Sequence, residues 1–104
     1  MYVLVILKDG RNADAEPLHA HETFISSLIK RNAILLGGAF ADAVDDAFAA
    51  YLLRCDDVEE AQRIAAEDPF AVNDVVRPLC VAWELVGVNP DAIDRAAVIR
   101  PEDV

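Results

Sequence analysis

Two histidines and nineteen acidic side chains are the main proton-handling groups of this 104-residue chain. Imidazole titrates near neutral pH, so each histidine is a candidate acid–base group. Projected at roughly 100° per residue, the stretch after Pro17 places His21 near the centre of an apolar stripe with Leu18, Ile25 and Leu28. His19 falls among polar positions. An inward histidine fits two readings: a core or subunit-interface residue whose ring nitrogens the backbone satisfies, or a proton-transferring group. The second reading needs a carboxylate to fix the ring tautomer and raise its basicity. Asp68, directly before Pro69, is the best-placed candidate, although an Asp before Pro at a helix end also serves simply to order the turn.

The elements that must position these groups follow from periodicity and punctuation. Tyr2 to Lys8 is rich in branched and aromatic residues and stops at Asp9-Gly10, as a strand does. Pro17 to about Asn32 is an amphipathic helix. Ile34 to Phe40 is a second strand, in which Gly37-Gly38 marks a bulge or a close approach to the backbone. The acidic stretch Asp42 to Asp46 turns the chain into a third strand, Ala47 to Arg54. Asp56 and Glu59 have capping-box spacing ahead of a helix that must end near Glu67, because Pro69 disfavours helical backbone at Asp68. Leu79 to Val86 is a fourth strand, and residues 87–104 form a polar extension with a weak helical pattern around Ala92 to Ile99.

The order β-α-β-β-α-β defines an α+β, ferredoxin-like arrangement: a four-stranded antiparallel sheet with two helices on one face, contained in residues 1–86. That topology gathers Lys8, His21, Asp42 to Asp46, Asp68 and Arg77 at one end of the sheet. Lys8, Arg77 and Gly38 are the candidate substrate contacts. Strands one and four are apolar on both faces, and an apolar sheet face of several hundred Å² is rarely left in water. A homodimer that buries the uncovered face is expected.

The Asp68-Pro69-Phe70 stretch behind a short acidic-capped helix, His21 early in helix one, and the Ile34 to Phe40 strand with its paired glycines together resemble the YciI-like (YCII-related) family. The likeness runs from Met1 to about Val86. It implies a dimeric α+β barrel and a cleft between helices and sheet. It also implies a dyad of a helix-one histidine with the aspartate of the Asp-Pro-aromatic motif, here His21 and Asp68. Relatives with known chemistry are cofactor-free lyases or dehydrochlorinases acting on small ring compounds. Family members often carry an arginine three residues before the histidine, where this chain has Leu18; an anionic substrate group then needs another cation, such as Lys8 or Arg77.

Composition narrows the partners. A net charge of −10 with no basic cluster opposes binding to nucleic acid or an anionic membrane surface. No apolar run approaches the roughly 20 residues of a membrane span, and Met1 to Lys8 lacks the features of a secretory signal. Cys55 and Cys80, without a CxxC, read as thiols of a reducing, cytoplasmic compartment. Two histidines supply no convincing zinc set, the hairpin aspartates lack EF-hand spacing, and Ser26 and Ser27 lie on a helix without a nucleophile elbow. The expectation is a cofactor-free enzyme that moves a proton on a small molecule with His21 and Asp68. A non-catalytic metabolite-binding or assembly module and a cofactor-free monooxygenase are the alternatives.

Overall fold

The computed structural model describes residues 1–10 and 15–98. Strand β1 spans Tyr2–Lys8, α1 Ala15–Lys30, β2 Ile34–Val44, β3 Ala47–Arg54, α2 Val58–Ala66, α3 Pro69–Val72 and β4 Arg77–Ala82. The sheet order is β2-β3-β1-β4 with every neighbouring pair antiparallel. This is the expected ferredoxin-like α+β arrangement, with one short extra helix, α3, between α2 and β4.

Strand alternation divides the sheet into two faces. On the covered face Val3, Val5 and Leu7 meet Leu53, Tyr51 and Ala49 across the β1–β3 ladder. With Leu28 of α1 and Ala61 and Ala65 of α2 they form the buried core. Each large side chain buried there contributes about 1.5–3 kcal/mol. On the other face two complete rows cross the strands, Leu36–Leu52–Leu4–Val81 and Gly38–Ala50–Ile6–Leu79. Leu36, Leu79 and Val81 of these rows are exposed.

Several boundaries differ from the sequence expectation. Strand β2 runs on from Phe40 to Val44, because a two-residue turn at Asp45 and Asp46 returns it directly into β3. Both aspartates have positive φ, 48° and 64°, the left-handed pair that a tight hairpin requires and that Asp tolerates. The N-cap of α2 is Asp57, which accepts from the Glu60 amide, one residue later than the Asp56–Glu59 pair. Strand β4 occupies Arg77–Ala82 and not Leu79–Val86. Among the described residues its only partner is β1, whose ladder ends where the Trp83 amide donates to Tyr2 O. Pro78 is tolerated because β4 is an edge strand. Beyond it, short 3-10 turns at Pro90–Ala92 and Arg95–Ala97 replace the weak helix, whose last residue, Ile99, lies outside the described residues. No helix among the described residues is long and apolar enough to cross a membrane.

Candidate active site

The tripeptide Asp68-Pro69-Phe70 builds one half of the site by local rules alone. Pro69 stops α2 and starts α3 at the helical position that tolerates a missing N–H. Asp68 then sits at the N-cap with non-helical backbone, φ −56° and ψ 126°, and its Oδ1 accepts from the Phe70 amide at 2.9 Å. Asp68 is nevertheless 0% exposed, the buried charged residue of the described core. A capping bond alone does not compensate a fully buried carboxylate. The remaining compensation comes from α1.

Helix α1 packs against α3 and carries His21 on the same stripe as the buried Leu28, seven residues on. His21 Nδ1 lies 2.8 Å from Asp68 Oδ1 and 2.9 Å from Oδ2. An ionised carboxylate only accepts, so Nδ1 carries the proton and donates. The Phe70 ring stacks on the imidazole, with centroids 3.9 Å apart and planes within 4°, which fixes the ring plane. His21 thus faces Asp68 and the Phe70 ring of α3. Its side chain retains 16% exposure, and its Nε2 has no hydrogen-bond partner among the described residues. A neutral imidazole held with Nδ1–H on a carboxylate presents a basic Nε2, and the carboxylate stabilises the imidazolium formed when Nε2 takes a proton.

The other candidate residues are not brought to this pair. Lys8 and Arg77 are cross-strand partners at the end of the β1–β4 ladder, on the sheet face away from Val5 and Leu7. Arg77 Nε donates to Asp9 Oδ2 at 2.8 Å in an exposed ion pair. Gly38 lies in a row of the uncovered face, with nothing within 4 Å of where its β-carbon would stand. Asp45 and Asp46 form the hairpin turn, where Asp46 O accepts from the Asp9 amide. The sheet end does gather these segments, but its two faces separate them.

A cavity of about 480 Å³ opens at the β4 edge, lined by Gln62, Ala65, Ala71, Arg77 and Cys80 among others. Neither His21 nor Asp68 lines it, although Ala71 lies one residue beyond Phe70. Cys80 and Cys55 are free thiols whose pKa burial raises, so that they ionise less readily. Among the described residues no three His, Cys, Asp or Glu side chains are grouped to hold a metal. Sequence reasoning passes over Tyr51, whose hydroxyl is buried without a partner among the described residues, and gives Phe70 no role. The strand alternation that aligns Tyr51 with Leu53 is the available signal for the first.

A ferredoxin-like α+β domain with a buried aspartate clamping a helix-one histidine defines a class, and comparison narrows it. The YCII-related domain family matches residues 1–82, and the chain belongs to it. Among solved structures it is similar to 5-chloro-2-hydroxyhydroquinone dehydrochlorinase from Burkholderia phenoliruptrix AC1100, in complex with 2,5-dihydroxybenzoquinone. The TM-score is 0.61 at 16% identity, covering 81% of this chain and 94% of that one. No curated protein matches the chain significantly.

Proposed function

We propose that this protein is a small cofactor-free enzyme of lyase, isomerase or dehydrochlorinase type, in which His21 moves a proton on a compact organic molecule and Asp68 orients it. The observation that carries this reading is the Asp68–His21 pair itself. A buried carboxylate bonded through both oxygens to one ring nitrogen leaves the other nitrogen free to act. Elimination and isomerisation both begin with proton removal, and a dehydrochlorination adds the departure of chloride. The likeness to a dehydrochlorinase with a quinone bound supports that class of substrate. The reading is tested by chloride release from 5-chloro-2-hydroxyhydroquinone. His21→Ala and Asp68→Asn are expected to slow it about a hundredfold or more, the scale of general acid–base catalysis. Wild-type rates in both variants would sink it.

The cavity at the β4 edge, separate from the dyad, favours one second reading, a non-catalytic binding module. Binding of 2,5-dihydroxybenzoquinone with no response of the His21 imidazole resonances, and no turnover, is the result that module predicts.

We also read the protein as a cytoplasmic homodimer, the unpaired thiols fitting the compartment. The two apolar rows on the uncovered sheet face suit a second copy of the same face. Light scattering is expected to give a dimer at micromolar concentration and a folded monomer for Val81→Asp. A wild-type monomer would refute the pairing.

A further inference from the structure

Tyr51 is the buried residue among those described whose polar atom goes unserved: it is 4% exposed and its phenol oxygen makes no hydrogen bond. Phenylalanine would fill the same space without stranding a hydroxyl, so packing does not account for the oxygen. The sheet also makes room for this side chain. A β-carbon on Gly37, its partner on β2, would meet the Tyr51 β-carbon at 2.7 Å. A glycine inside a strand weakens it, and here it leaves room for the β-carbon at position 51.

The phenol shares its buried core with the dyad's support. Tyr51 belongs to the same buried cluster as Phe70, which stacks on His21 and whose amide holds Asp68. Asp68 accepts from His21 on both oxygens and from Phe70 on Oδ1 only. A carboxylate has about four acceptor positions, so Oδ2 retains capacity for another donor. We propose that Tyr51 is a positioning residue of the dyad, its phenol O–H donating to Asp68 and so setting how strongly that carboxylate holds the His21 ring. The bond is not made in this structure, where the phenol oxygen stands without a partner among the described residues. Burial first, and then the Asp68 charge, push the Tyr51 phenol above its ordinary range, with the Cys80 thiol on β4 the other titratable group it senses. The phenol therefore stays a neutral donor at any pH at which the histidine titrates.

The test is an NMR titration of both imidazoles in the full chain, wild type against Tyr51→Phe, with a His19→Gln variant to assign the signals. Loss of a donor leaves Asp68 more basic, and a more basic carboxylate favours the protonated ring. The His21 midpoint is expected to move up by about half a pH unit, the scale of one hydrogen bond. Exposed His19 on the same helix should not move. Urea denaturation should show Tyr51→Phe to be less stable than wild type. An unmoved or lowered His21 midpoint overturns the assignment, and so does a gain in stability, which is what deleting a permanently unpaired hydroxyl produces. The proposal rests on the proton-transfer reading for its purpose, but neither measurement uses a substrate. An absence of turnover would therefore count against the enzyme reading alone, and an unmoved midpoint against the role of Tyr51 alone.

Discussion

Two rows of the sheet, one residue apart along each strand, carry different duties. Gly37, Tyr51, Val5 and Cys80 cross the covered face, while Gly38, Ala50, Ile6 and Leu79 cross the uncovered one. The first row contains a phenol that is buried and unpaired among the described residues, and its face carries the core from which the Phe70 support of the dyad comes. Nothing in the second row is polar. The contrast teaches that nearness to one end of a sheet does not make a site. Lys8 and Arg77 share that end with the loops around Asp68, yet alternation turns them to the face where no proton-transfer group stands. In these two rows the phenol and thiol stand on one face and only apolar side chains on the other, and the boundary between them is a single step of backbone.

The adjacent glycines Gly37 and Gly38 differ in what a β-carbon would meet on each face. At Gly37 an added β-carbon would also stand 3.1 Å from Ala50 O, so backbone as well as the Tyr51 side chain must yield. Gly37→Ala is expected to cost about 1–3 kcal/mol, as overpacking does. Gly38→Ala meets nothing within 4 Å and should change stability by no more than about 0.5 kcal/mol in the isolated chain. Urea midpoints of the two variants measure the difference directly. Equal costs would mean that the two faces are not as unlike as the register makes them.

Much of this is legible in the residues. The 3.6-residue period alone puts His21 inward, and Pro69 alone fixes where α2 stops and how Asp68 is presented. Strand order follows from counting elements. The cap of α2 is ambiguous by one residue because Asp56 and Asp57 are each followed three positions later by a glutamate, so the motif fits both registers. The end of β4 is illegible for another reason. Trp83 to Val86 has strand-like composition, but a strand extends only as far as its partner, and β1 begins at Tyr2. The faces of Gly37 and Gly38 are hidden by the register shift between Ile34 and Leu36, which reverses the alternation along β2. Alternation with Leu53 marks Tyr51 as inward, but the missing partner of its hydroxyl is a property of the packed core and has no sequence signature.

A smaller effect sharpens the same contrast through pH. Burial and the Asp68 charge raise the Tyr51 phenol above its unfolded value near 10. The folded state therefore retains a proton that the unfolded chain releases. Tyr51's contribution to stability is complete below pH 10 and is lost as the pH rises above it, by about 1 kcal/mol at pH 11. Cys55 and Cys80, whose thiols burial also raises, add losses of the same sign beginning near pH 9. Tyr51→Phe retains both thiols and loses only the phenol. Its stability should therefore run parallel to wild type up to pH 10 and fall less steeply beyond, as urea denaturation at pH 8 and pH 11 would measure. Identical slopes would mean that the phenol ionises as readily in the fold as in water, and that the covered face does not enclose it.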